Sequence, residues 1–161
     1  MSTVILKLAP LTPRFVPSEV QASDARECLV RLAPDGYEHE VRIHGNPEFI
    51  DPGEYLSTAI CPTCGSTISF DVTDDFEAST KWMSELCRQL AIAPAGSLSC
   101  SLPWCSHMVL ITSLEFEPSA VFASCELRVV EPLIEDNQLA ELVAAISRVF
   151  GVPMMHVWSS Y

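Results

Sequence analysis

Cys61, Pro62, Thr63, Cys64 and Gly65 make a CPTCG turn, and further along the chain runs Ser99-Cys-Ser-Leu-Pro-Trp-Cys-Ser-His107. Two thiols three positions apart on a tight turn can both face one ion, and Gly65 permits the left-handed backbone that turns the amides inward. The chemistry implied is thiolate coordination of zinc. A tetrahedral ion needs two further donors: Cys105 is the expected third ligand, with Cys100 or His107 as the fourth. Four protein ligands would close the site and make the metal structural, with no position left for water. Cys28, Cys87 and Cys125 fall on apolar faces and are read as small buried hydrophobes.

Other catalytic patterns fail on spacing. His39-Glu40 followed by His44 is one residue too long for HExxH. Five positions place two side chains about 140° apart on a helix, or on opposite faces of a strand. Both histidines are therefore expected on a strand surface. A zinc deaminase needs H-x-E ahead of P-C-x-x-C, and neither His39-Glu-Val nor His44-Gly-Asn supplies the base. A thioredoxin-like CxxC should open a helix; here Gly65 and the alternating Thr67-Ile-Ser-Phe-Asp71 follow, which suits a hairpin. Glu115 and Glu117 are expected on the exposed side of a strand rather than as a catalytic pair. The chain reads as non-enzymatic, a cysteine nucleophile (Cys64 or Cys105 with His107) being the weakest of the readings.

The elements that must position these groups follow from periodicity and capping. Val4–Leu8 is expected as a first strand, and Pro10, Pro13 and Pro17 enforce an extended connection. Ser18 caps a helix to about Ala33, with Val20, Ala25, Cys28, Leu29 and Leu32 on its apolar face. Residues 38–44 alternate as a strand, with Val41 and Ile43 pointing one way. Gly45-Asn-Pro47 and Asp51-Pro-Gly53 bracket a loop carrying Phe49 and Ile50. Strands at Leu56–Ile60 and Thr67–Val72 flank the cysteine turn. Thr73 or Asp74 caps a second helix to about Leu90, with Phe76, Met83, Leu86, Cys87 and Leu90 as its stripe. Met108–Thr112 is expected as a buried strand, followed by Ala123–Val130. Glu135–Phe150 has the clearest helical spacing and ends at Gly151, before a last strand from Met154 to Trp158. This order implies an α+β fold, one domain over residues 1–161. Its sheet is antiparallel or mixed, with helices packed on one side and a zinc-knuckle-like hairpin.

At 161 residues and 48% hydrophobic content the chain can bury a core without disulfides. No apolar run approaches the length of a membrane span. Seven cysteines, an odd number, without an export signal at the start point to a reducing cytoplasm. The net charge of −12, from 21 acidic and 9 basic residues, argues against direct nucleic-acid binding, which needs clustered cations. Such a surface suits solubility or capture of a basic protein.

Phe49-Ile-Asp-Pro-Gly53, Cys61-Pro-Thr-Cys-Gly65, Leu102-Pro-Trp-Cys105 and the ending Gly151-Val-Pro-Met-Met-His-Val-Trp-Ser-Ser-Tyr161 occur in that order. The chain resembles small bacterial proteins with a FvDPG…CPxCG…LPCCG…VWaHY pattern, of the kind found as immunity proteins beside polymorphic secreted toxins. It departs from the pattern at Trp104 and Ser106, which stand where a cysteine and a glycine occur, and at Ser160, which stands for a histidine. The resemblance implies a non-catalytic cytoplasmic immunity protein. It would occlude a cognate toxin with a basic surface, one acting on nucleic acid, by mimicking phosphates with acidic side chains. The expected contact residues are Asp71, Asp74, Asp75 and Glu77, with Glu115 and Glu117 as a second patch. The alternative is a zinc-stabilised structural or adaptor protein with no toxin partner.

Overall fold

In the computed structural model, which describes residues 1–70, 76–93 and 97–161, a four-stranded antiparallel sheet carries two helices on one face. Its strands are β1 (Val4–Pro10), β2 (Tyr37–Ile50), β8 (Val121–Val130) and β9 (Met154–Ser160), in the order β2-β8-β1-β9. The helices are α1 (Glu19–Leu32) and α3 (Asp136–Phe150). Leu6, Leu8, Cys125, Leu127 and Val129 of the sheet meet Ala25 and Leu29 of α1 and Leu142, Ile146 and Phe150 of α3 in one core. The class is α+β, as the order of elements implied.

Both helices begin and end on local chemistry. The Ser18 hydroxyl accepts from the Gln21 amide while the Gln21 side chain accepts from the Ser18 amide, a reciprocal cap. At the start of α3 the Gln138 side chain accepts from the Glu135 amide at 2.9 Å while Asn137 Oδ1 accepts from the Gln138 amide, and Gly151 ends the helix in the left-handed region at φ 71°. Val20, expected on the buried face of α1, is instead 70% exposed. The helix turns its apolar stripe toward the sheet from Ala25 and Leu29, leaving its first turn in solvent.

The expected loop carrying Phe49 and Ile50 is corrected by the structure as far as Ile50, while Asp51-Pro-Gly53 stays outside the strand. β2 runs through Gly45-Asn-Pro47 to Ile50, and its register against β8 slips between Ile43 (opposite Cys125) and Glu48 (opposite Ala123). Extra residues bulge from the strand there, and Pro47 is tolerated because β2 is an edge strand. The slip inverts the alternation beyond it, so Phe49, opposite Phe122, reaches the second core and Ile50 is buried, while Ile43 before the slip is 53% exposed. His39 and His44 are half-buried rather than superficial.

A second core lies around the cysteine turn. β3 (Thr58–Ile60) pairs with β4 (Thr67–Ser69) and β7 (Glu115–Glu117) in a small antiparallel sheet. A two-stranded ribbon joins β5 (Ser99–Cys100) to β6 (Val109–Leu110), and α2 (Phe76–Ile92) packs alongside. Ala59, Ile68, Leu86, Leu102, Ile111, Phe116 and Phe122 are buried together here. The Phe49, Phe116 and Phe122 rings stack within 4.9–6.3 Å of one another and join this core to the main sheet. The expected buried strand at Met108–Thr112 is corrected too. Only Val109 and Leu110 pair as strand, a 3₁₀ turn follows at Ile111–Ser113, and Met108 stands 67% exposed while Ile111 is fully buried. Cys87 is exposed on α2, whereas Cys125 is buried and Cys28 half-buried. The expected caps Thr73 and Asp74 lie outside the described residues.

Candidate metal centre

The β3–β4 hairpin closes on its own backbone. The Cys61 amide donates to the Ser66 carbonyl at 2.8 Å, the Gly65 amide donates to the Cys61 carbonyl at 2.9 Å, and Gly65 takes φ 72°. This places Cys61 in the second core at 1% exposure and leaves Cys64 exposed at the turn. The partner segment is held from three directions. Leu102 is buried as an anchor, the Cys105 amide donates to the Leu102 carbonyl at 3.0 Å, and the Trp82 indole of α2 donates to the Ser101 carbonyl at 3.0 Å. The β5–β6 ribbon ties the ends of this loop together, so Cys105 and His107 are delivered against the hairpin.

Cys61, Cys64, Cys105 and His107 gather with their ligand atoms all within 4.8 Å of one another. Cys105 is the hub: its sulfur lies 3.4 Å from Cys64 Sγ, 3.5 Å from Cys61 Sγ and 3.5 Å from His107 Nδ1. A tetrahedral zinc with Zn–S bonds of about 2.3 Å separates its sulfurs by about 3.8 Å. The Cys105 contacts lie a few tenths of an ångström inside that spacing, the widest separation in the group is within 4.8 Å, and the arrangement is compatible with a metal ion. Of the two expected fourth ligands, His107 belongs to the group. Cys100 stays outside it, half-buried in β5 opposite Val109.

The thiols are not equivalent. The Cys64 thiol is drawn down to about 6, first by the Ser66 hydroxyl 3.1 Å from its sulfur, then by the Ser66 amide and by Cys105. The His107 amide pulls Cys105 down, but desolvation and the neighbouring sulfurs of Cys64 and Cys61 outweigh it and push this thiol up to about 11. Burial raises Cys100 to about 11 as well. A thiolate at Cys64 therefore disfavours a second at Cys105, and a divalent ion bound by both sulfurs would offset that repulsion. Ser66 was not singled out in the sequence, although its place directly after Gly65 was the available signal.

The expected acidic contact residues divide. Glu115 and Glu117 are exposed on either side of buried Phe116, opposite Ile60 and Thr58, so both project from the outer face of the small sheet beside the knuckle. Glu77 is exposed in the first turn of α2. Asp71, Asp74 and Asp75 lie outside the described residues.

The DPG and terminal segments meet in a second locus. Asp51 Oδ1 accepts from the Gly53 amide, and Gly53 lies against Ser160 so closely that a Cβ would overlap the Ser160 carbonyl. The Asp51 carbonyl accepts from Lys7 Nζ at 2.8 Å and Ser159 Oγ at 2.6 Å, and Lys7 also donates to the Tyr161 hydroxyl at 2.8 Å. Lys7 is 6% exposed and lies 5.1 Å from the Tyr161 ring centre. This latch satisfies a buried ammonium and ties the last residues to the sheet. A lysine inside the apolar run Val4–Ala9 was its sequence signal.

No protein-family model matches the chain, and no curated protein or solved structure matches it either. No helix among the described residues is long and apolar enough to cross a membrane.

Proposed function

We propose that the chain is a non-catalytic bacterial immunity protein whose knuckle region is held by structural zinc and whose acidic surface occludes a basic toxin in the cytoplasm. Cys61, Cys64, Cys105 and His107 would supply all four ligands, a closed set that leaves no position for a reacting water. The observation that carries the reading is a charge asymmetry located on this region. Residues 51–120 contain nine acidic and two basic side chains, against twelve and seven in the rest of the chain. Glu115 and Glu117 stand exposed on the same small sheet as the knuckle. A toxin that acts on nucleic acid needs a basic cleft, which carboxylates on a rigid sheet can fill as phosphates do.

The test is a pull-down of tagged protein from its native host, washed at low and at high salt. A stoichiometric basic polypeptide, lost when a toxin-bearing locus is deleted and released by Glu115→Lys with Glu117→Lys, is expected. If nothing is retained at either salt while the purified protein contains one zinc, the zinc-stabilised adaptor with no toxin partner replaces immunity.

A further inference from the structure

We infer that Cys64 and Cys105 form an oxidant-sensitive disulfide site, so that the metal centre is also a place of reversible covalent modification. The inference rests on the zinc reading of the same cluster and adds a second chemistry to it. Cys64 is exposed at the turn, whereas Cys61 is buried, so a small peroxide reaches the Cys64 sulfur first. Cys105 lies 3.4 Å from that sulfur and need only approach to about 2.05 Å to bond it. These two residues are 41 positions apart, so the bond would join hairpin and loop covalently after the ion has gone.

The step balances with a hydroperoxide as oxidant. The Cys64 sulfur attacks a peroxide oxygen, the O–O bond breaks and one water leaves, giving a sulfenic acid. The Cys105 sulfur then attacks the Cys64 sulfur, the S–O bond breaks and a second water leaves. Two thiols are oxidised by two electrons, one peroxide is reduced, and where zinc held the thiolates solvent supplies the two protons. Cys61 and His107 alone cannot complete a tetrahedron, and zinc departs.

Protein refolded with zinc under reducing conditions is titrated with hydrogen peroxide. A chromogenic chelator reads metal release, and mass spectrometry after thiol blocking maps the crosslinks. One zinc released per Cys64–Cys105 disulfide is expected, at peroxide levels that leave the exposed Cys87 reduced, and reversed by thiol reductant plus zinc. Cys87→Ser and Cys100→Ser, which spare the cluster, should leave the response unchanged. A Cys61–Cys64 crosslink instead, or zinc retained until Cys87 is oxidised, overturns the inference. Failure of the metal reading is separable: protein that never binds zinc yet forms the Cys64–Cys105 bond keeps the oxidation site and removes the metal.

Discussion

The helix-covered sheet and the knuckle region are held together by different physics. The sheet has strands of seven to fourteen residues, two capped helices, and a core in which Leu6, Leu8, Leu29, Leu127, Leu142 and Ile146 have no exposed surface. The knuckle region has strands of two and three residues. Such short ladders fix little backbone for their hydrogen bonds, and isolated they are marginal in water. Its core borrows Phe49 and Phe122 from the larger sheet. The difference teaches where a metal would matter: a region that buries enough on its own has no need of one, whereas a region of short strands and loops would gain rigidity from an ion held by four donors.

Removing the crosslink should separate the two regions most sharply. With zinc bound as proposed, chelation is expected to cost up to about 10 kcal/mol of binding free energy, and Cys61→Ser, which removes one of four donors, a part of it. Hydrogen exchange should then show amides of β3, β4 and β7 losing protection while those of β1, β8 and β9 keep it; uniform loss would mean that the regions fold as one unit. Core truncation sharpens the same contrast. Ile146→Ala in α3 should destabilise the protein by about 2–5 kcal/mol with or without metal, measured by urea unfolding. Ile68→Ala in β4 should cost a comparable amount only when metal is present.

The latch gives a smaller effect confined to the sheet. Gly53→Ala places a Cβ against the Ser160 carbonyl at a position with φ 64°, and should cost about 1–3 kcal/mol. Zinc content should stay unchanged, because the latch shares no donor with the cluster. The smallest change in stability is expected from Glu115→Lys with Glu117→Lys, within about 0.5 kcal/mol because both side chains are exposed. A larger drop would show that these carboxylates stabilise the small sheet rather than await a partner.

The four sequence patterns resolve into two separate structural units. Cys61-Pro-Thr-Cys-Gly65 and Leu102-Pro-Trp-Cys105 converge on the candidate metal centre, whereas Asp51-Pro-Gly53 and the ending Trp158–Tyr161 converge on the Lys7 latch. The halves of each unit were legible as short motifs, and spacing and residue type marked Cys61, Cys64 and Cys105 as candidate ligands, which the fold brings together. Which segments met was not, because partners 41 to 154 residues apart carry no periodic signal linking them.

What the sequence determined alone is local: the Ser18–Gln21 and Glu135–Gln138 caps, the Gly151 stop and the cysteine hairpin each depend on groups a few residues apart. Tertiary structure decided the rest. It drew the presumed loop of Phe49 and Ile50 into β2 by offering β8 as a partner, left Met108 in solvent while burying Ile111, and brought His107 rather than Cys100 to the cluster. In each case several local arrangements satisfied the same residues, and the choice fell to packing against segments distant in sequence.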